Sequence, residues 1–575
     1  MSFGRFRKLF RREPTRRELY LQLARGLNIE RDYQSWIERW ENYGPVESSS
    51  GPSLPLTILL AGSDSDSDAT YWNRHPDEPG IQVIATIGFS DGWQFKDGLA
   101  GALEHARGEY VAVLHGSDRL AASALRRLAV AAEAMPDAPV IFGDEDQIDA
   151  KGHRFAPWFK PDFGDDLFLC QHGFGRAVFF KKAALQGLTL PSAAGLDEGI
   201  YATALEATMA SRRDPLHCPG ILVHVGGDPA VSPRTRVLYL AGSARRQIAE
   251  SFVARRASLA GAKVEGPDPH GFLRLRHPLP DPLPLVSVVI PTRDRKDLLE
   301  ACVNSLDRAT SYPNKEIIIL DNDSAEAETK AYFAALSQRS DVQVIPAPGP
   351  FNYPRLINLG ASHARGELLM TLNNDIEAFE PDWLNEMVSQ VSRPGVGLVG
   401  CLLLYPDRSV QHAGVIVGLS GVAGHMYADA APDDPGYAGR IYVTQDLSAV
   451  TGACQLMRRS LFEQLGGLDE RHLAVAYNDI DFCLRVREAG LRVIYTPHAR
   501  LLHRHSASRG SDVRVERLAS FTWEREYMRS RWAHVMFDDP FFNPNLSLSG
   551  KRGRLATAPR PRLFKRSQSS SAFRY

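Results

Sequence analysis

Six cysteines are spread through 575 residues, at Cys170, Cys218, Cys302, Cys401, Cys454 and Cys483, and none forms a C-x-x-C pair. Thiols scattered in this way argue against a disulfide framework and against a cysteine zinc site, and suit a reducing compartment. No stretch approaches the roughly 20 apolar residues of a spanning helix. The N-terminus lacks the unbroken apolar core of a signal peptide. A formal net charge of −1 supplies no global field to draw the chain to nucleic acid. The C-terminal half contains neither of the standard glycine-rich phosphate loops. A cytoplasmic protein that touches a membrane peripherally at most is the expectation.

What is present is the composition of a soluble globular protein, 44% hydrophobic and 23% charged, long enough for two to four domains. The charge is unevenly placed. Residues 1–17 hold seven Arg and Lys against one Glu, interleaved with Phe3, Phe6, Leu9 and Phe10, and the stretch from Lys551 to Tyr575 has no acidic residue. Such ends fit an anionic membrane surface and equally a frayed, solvated terminus. Apolar spacing predicts helix over 15–43, followed by a Gly/Pro/Ser linker at 44–55. Strands are expected at 56–62, 81–87, 109–115 and 138–144 with helices between them, which implies a mostly parallel sheet covered on both faces. The segment between the first two, "SDSDSDATYWNRHPDEPG", reads as a solvated loop. Residues 236–263 read as helix. Four prolines in "HPLPDPLPLVS" (277–287) then exclude helix and central strand and mark a boundary. A second α/β region starts at once, with strands at 286–291, 316–322 and 367–375 and helices at 295–306 and 353–366. "GALEHARGEYVAVLHGSD" (101–118) and "GASHARGELLMTLNND" (360–375) share a helix, an A-R-G-E junction, a strand and a final Asp, the mark of a duplicated domain.

Ligands of open parallel sheets bind beyond the carboxyl ends of the strands. Three polar clusters of the second region stand there: "PTRDR", "DNDS" (321–324) and "NND" (373–375). Asp321 or Asp323 can accept hydrogen bonds from a ribose hydroxyl or a base N–H, although Asp, Asn and Ser also favour plain turns. Asp375 follows an apolar strand that would hold it rigidly, and one or two carboxylates with phosphate oxygens is a usual way to hold Mg²⁺ or Mn²⁺. In "VAYNDIDFCLRVREAG" (475–490), Asn478 is a suitable N-cap, and Asp479 and Asp481 favour the positive end of a helix. Asp481 lies roughly 200° around the axis from Asp479, so it is assigned to capping or to an arginine partner. "ARLLHRHSASRG" ends a strand on His503, so a carboxylate and an imidazole stand at element edges near a candidate metal.

"VSVVIPTRDR", "IIILDNDS", "LNNDIE", "VTGAC" and "NDIDFCLRVREAG" followed by a His resemble, in that order, the motifs of family-2 glycosyltransferases. The similarity is greatest to bacterial two-domain members associated with O-antigen and capsule polysaccharide synthesis, in which stretches like "FNYPRLINLG", "VQHAGVIVG" and "DPFFNPNLSL" recur. The resemblance spans about 55–548. It implies two tandem α/β GT-A domains, Rossmann-like and of the nucleotide-diphospho-sugar transferase type. They would comprise a degenerate copy at 55–235, a helix and Pro-rich linker at 236–282 and a catalytic domain at 283–548, flanked by a basic helical extension at 1–50 and a basic tail at 549–575 expected to be disordered. It further implies that Pro291, Thr292, Asp321 and Asp323 line a nucleoside pocket, and that Asn373 and Asn374 occupy the rest of the D-x-D-like position that ends on Asp375. Asp375 and His503 would hold Mg²⁺ or Mn²⁺ on the donor diphosphate, His505 being the lesser choice. Asp479 would be the general base of an inverting transfer from a nucleotide sugar to a saccharide or lipid-linked saccharide. The first domain keeps Asp118 and the acidic run "FGDEDQID" (142–149), read as a loop-stabilising network. Its "GLDEGIYATALEA" (195–207) takes the place of the base-bearing helix without a matching Asp, so this copy is expected to be inactive. The rival readings are a non-catalytic nucleotide-sugar-binding scaffold, favoured by Asn at 373, 374 and 478, and a nucleotidyltransferase, for which "TRDRK" would clamp phosphate.

Overall fold

The computed structural model describes residues 29–40, 54–61, 71–72, 80–86, 95–189, 195–227, 242–504, 515–549, 554–560 and 562. Most of both basic ends, most of the "SDSDSD" segment and His505 lie outside the described residues. Short runs of Val, Ile and Leu form strands because β-branched side chains pack well on a pleated surface. In the first half these are β1 (Leu56–Ala61), β2 (Ile81–Thr86), β3 (Tyr110–His115), β4 (Arg119–Leu120), β5 (Val140–Ile148), β6 (Arg154–Trp158), β7 (Val178–Lys181) and β8 (Leu216–Gly226). A small hairpin, β9 (Lys263–Glu265) and β10 (Arg274–Arg276), follows the helix Gly242–Arg255. In the second half they are β11 (Val286–Thr292), β12 (Lys315–Asp321), β13 (Val342–Pro346), β14 (Leu368–Leu372), β15 (Ile376–Ala378), β16 (Val396–Leu404), β17 (Val410–His412), β18 (Val415–Val417), β19 (Ala423–His425), β20 (Gln445–Asp446), β21 (Cys454–Arg458) and β22 (Arg492–His503).

The first sheet runs β2-β1-β3-β7-β5-β8-β4 with β6 on β5, and the second β13-β12-β11-β14-β21-β16-β22-β15 with β17 on β16. Read side by side, each strand of the first order has a counterpart in the second, and only β13 and the short β20 are extra. The duplication seen in the A-R-G-E junctions thus extends to the whole topology. The alternation of strands and helices predicts mostly parallel sheets, and both are mixed instead. β7 runs antiparallel to β3 and β5, and β21 antiparallel to β14 and β16. The direction of a strand depends on where the chain re-enters the sheet, which residue pattern within the strand does not encode.

Every residue of β11 and of β16 is buried, each Val, Ile or Leu contributing about 1.5–3 kcal/mol. The two halves are also tied by charge. Asp166, buried in the first domain, accepts from Arg393 (2.9 Å) and Arg492 (2.5 Å) of the second, and Arg492 also meets Asp446 at 2.6 Å. Burial alone would raise the Asp166 carboxyl pKa; the two guanidiniums overcome this and hold it below the usual range. After the long helix Val515–Phe537 the chain returns to the first domain. Asn543 donates to both carboxylate oxygens of Asp144 at 2.9 Å, and Arg562 pairs with Asp162. The acidic run at 142–149 therefore forms a buried network on β5 and not a loop: Asp144 also meets His217, Glu145 meets Lys160 at 3.0 Å, and Asp146 meets Arg154, His224 and Tyr33.

Candidate active site

The crevice of the second domain opens because β11 and β14 part before their ends. Their pairing stops at Val289 and Thr371, while β11 stays paired to β12 through Thr292 and Asp321. Pro291, which has no N–H to give, is tolerated where the ladder toward β14 has ended. Asn374 spans the gap, donating to Thr292 Oγ1 at 2.9 Å. Thr292, Asp321 and Asn374 are thereby brought together. Asp321 accepts from the Ser324 amide at 2.9 Å in a local turn. Asp323 is exposed, has φ 61° and accepts from the Gly349 amide at 2.8 Å, so it braces the loop after β13. Between them Asn322, which the sequence reading passed over, is fully buried and donates to the carbonyls of Ala347 and Gly349.

The three-residue turn after β14 ends on Asp375, and β15 then pairs antiparallel with β22 so that Ile376 lies opposite His503. This register sets His503 Nε2 3.2 Å from Asp375 Oδ1, both residues being about 5% exposed or less. A carboxylate and an imidazole in one place suit a divalent cation whose remaining ligands are phosphate oxygens and water. They do not suit an all-protein cage, and among the described residues no group of three or more His, Cys, Asp or Glu is arranged to hold a metal.

Asp479 is the second residue of the helix Asn478–Glu488 and is half-buried. Its Oδ2 accepts from the Gly452 amide at 2.7 Å and its Oδ1 from the Ile480 amide at 2.8 Å. Gly452 belongs to the small-residue strip before β21. A Cβ at this glycine would stand 3.0 Å from Asp479 Cβ, so a side chain there would push the carboxylate aside. The Gly452 carbonyl accepts from Tyr353 Oη (2.9 Å) and Thr371 Oγ1 (3.0 Å), and the next carbonyl, Ala453, accepts from the Asn373 amide at 3.0 Å. A short path of backbone hydrogen bonds therefore joins the Asp479 carboxylate to the turn that carries Asp375.

Asn478 is not the N-cap. Tyr477 occupies that place with φ 61° and no side-chain bond, which starts the helix one residue earlier than expected; Asn478 is buried and reaches back to the carbonyls of Leu473 and Val475. Left-handed backbone at a tyrosine is strained, and strain of this kind gathers at functional sites. Asp481 is fully buried and bound by Arg485 (2.8 Å), Arg531 (3.1 Å) and Trp532 Nε1 (3.0 Å). It has the arginine partner assigned from helix geometry.

Two further imidazoles adjoin the strip. His412 Nδ1 lies 3.1 Å from His425 Nδ1, and His412 Nε2 is 3.4 Å from the Thr451 amide. Burial, with His425 and His503 nearby, keeps the His412 pKa well below the ordinary value, so the ring is neutral at pH 7. The stretch "VQHAGVIVG" entered the sequence reading as a motif, but nothing in its local pattern distinguishes His412 from a core histidine.

Sheet order and crevice give the second domain the GT-A fold. Residues 287–466 match the model of Glycosyl transferase family 2, and this segment is a family-2 domain. Over 457 residues it is 39% identical to the protein y4gI of Sinorhizobium fredii, covering 78% of this chain and 49% of that one. Over 456 residues it is 37% identical to the O-antigen biosynthesis protein RfbC of Myxococcus xanthus, covering 77% of this chain and 34% of that one. The chain thus spans about half and about a third of these two relatives. Among solved structures, the mannosyltransferase PcManGT of Pyrobaculum calidifontis, in complex with GDP-Man and Mn²⁺, is similar over 43% of this chain and 64% of its own, with 19% identity and a TM-score of 0.32. Among the described residues no helix is long and apolar enough to cross a membrane.

Proposed function

We propose that the second domain transfers a sugar from a nucleotide-sugar donor to a hydroxyl of a saccharide or lipid-linked saccharide acceptor, with inversion at the anomeric carbon, in bacterial surface polysaccharide synthesis. The observation that carries this is the tethering of the Asp479 carboxylate to the Gly452 strip, which borders the Asp375 turn. The O-antigen role of the RfbC relative supports the acceptor class.

Thr292, Asp321 and Asn374 line the nucleoside side of the crevice, with Pro291 shaping its wall; Asp323 acts through the loop it braces, and Asn373 ties the Asp375 turn to the base strip. Asp375 and His503 would hold Mg²⁺ or Mn²⁺, which would supply positive charge to neutralise the donor diphosphate. Asp479 orients the acceptor hydroxyl and takes its proton as that oxygen bonds to the anomeric carbon and the bond to phosphate breaks, releasing the nucleoside diphosphate. The amides of Gly452 and Ile480 fix the carboxylate's direction. The first domain, in this reading, takes no part in the chemistry.

A panel of UDP-, dTDP- and GDP-sugars with Mn²⁺ tests the proposal, first by thermal stabilisation and then by release of nucleoside diphosphate on adding acceptor. Asp479→Asn is expected to keep donor stabilisation and lose transfer. Full transfer by this variant would remove the assigned base, donor stabilisation without transfer by the unaltered chain would favour the scaffold reading, and an absence of binding by any donor would remove both.

A further inference from the structure

The first domain keeps Asp118 and, against expectation, also has an aspartate at the start of the helix that takes the place of the base-bearing one. Asp118 closes the three-residue turn between β3 and β4, the place that Asp375 takes between β14 and β15. Asp197 is the second residue of the helix Leu196–Ser211, as Asp479 is of Asn478–Glu488. The pairings Tyr110↔Lys181 and Leu368↔Arg458 put β7 and β21 in a common register, in which Gly175 corresponds to Gly452 and Arg176 to Ala453.

The difference lies in what stands between the carboxylates. Arg176 donates from Nη1 to Asp118 at 3.0 and 3.3 Å, and from Nε and Nη2 to Asp197 at 2.8 and 3.3 Å. Asp118 also takes the amides of His115 (2.8 Å) and Gly226 (3.0 Å). The strip's own amides are diverted: those of Arg176 and Ala177 go to Glu145, and none of these reaches Asp197 as Gly452 reaches Asp479. The imidazole opposite the start of β4, His224, is turned to Asp146 at 2.6 Å. Two carboxylates around one fixed guanidinium form a closed, satisfied set.

We infer that Arg176 is a built-in cation that fills the first domain's crevice and shuts it to a metal-bound diphosphate, so that replacing this one side chain opens a divalent-cation site between Asp118 and Asp197. The inference uses the proposed metal role of Asp375 only as its template.

The test is Mn²⁺ binding by the full chain, followed by electron paramagnetic resonance and calorimetry in an Asp375→Asn background that silences the second domain. Asp375→Asn alone is expected to bind no Mn²⁺. Adding Arg176→Gln should restore one ion per chain and Mn²⁺-dependent thermal stabilisation, and adding Asp118→Asn should remove both. If Arg176→Gln unfolds in chelator and refolds with Mn²⁺, that also supports the inference. It is overturned if Asp375→Asn still holds an ion that Asp118→Asn releases. It is likewise overturned if the Arg176→Gln chain takes no ion, folded or unfolded, while Arg176→Gln/Asp118→Asn/Asp197→Asn folds normally. Absence of Mn²⁺ from the unaltered chain would instead count against the Asp375 assignment and leave the Arg176 comparison standing.

Discussion

Asp479 and Gly452 behave as one unit, because the carboxylate's direction is set by an amide that only a residue without a side chain can bring so close. Asp479→Asn should lower the transfer rate by about 10²–10⁴-fold with a small fall in melting temperature, since the residue is half-buried but the asparagine amide keeps one acceptor oxygen for the two backbone N–H groups that the carboxylate binds. Gly452→Ala should also lower transfer. Its added Cβ would sit 3.0 Å from Asp479 Cβ, and the loss should appear in kcat more than in donor binding. Equal kcat in Gly452→Ala and the unaltered protein would show that the strip does not position the base. At this scale the sequence spoke clearly for Asp375 and Asp479, which combine a strand tip or helix start with an acidic side chain. It was silent on Asn322 and His412, and it denied the helix at 195–207 the matching Asp that stands there as Asp197. Their importance comes from neighbours 13 to 39 residues distant, and a lone Asn, His or helix-start Asp carries no local mark of such partners. Arg176 was hidden for the same reason, since its two partners lie 58 and 21 residues away.

The helix Asn478–Glu488 presents Asp479 and Asp481 in opposite directions, and the two should respond differently to removal. Asp481 is fully buried among Arg485, Arg531 and Trp532, so it docks the base-bearing helix onto Val515–Phe537. Asp481→Ala should cost about 2–4 kcal/mol, less than a wholly buried pair because Arg531 is partly exposed. Urea melts would show it, as a lower midpoint than that of Asp479→Asn. An Asp481→Ala midpoint equal to that of the parent would mean that packing alone holds the helix. Elements were the most legible level of the sequence. The strands at 286–291 and 316–322 and the helices at 295–306 and 353–366 lie within a few residues of their observed bounds, because apolar periodicity and turn residues are local signals. The antiparallel course of β7 and β21, and the helix start brought one residue forward at Tyr477, depend on tertiary contacts.

For the molecule as a whole, buried imidazoles predict acid sensitivity. Burial pulls the pKa values of His172, His277 and His498 down to about 4, against roughly 6.5 in the unfolded chain. Between these values the unfolded chain binds more protons than the folded one. Stability therefore rises with pH across this span and is lost as the pH falls below about 6.5, by up to about 2 kcal/mol per imidazole at pH 5. The melting temperature should fall steadily between pH 7 and 5 in scanning fluorimetry, and His498→Asn should flatten the decline. A constant melting temperature over this interval would mean that these rings accept protons without penalty.

The return of residues 538–562 to the first domain has a consequence for biosynthesis. Asn543, which seals Asp144, and Arg562, which neutralises Asp162, leave the ribosome about 400 positions after the carboxylates they serve. The N-terminal half must therefore wait in an incomplete state, with unmatched charge in its interior, until these residues have been made. Chains released early should be cleared by proteases more readily than their length alone would suggest.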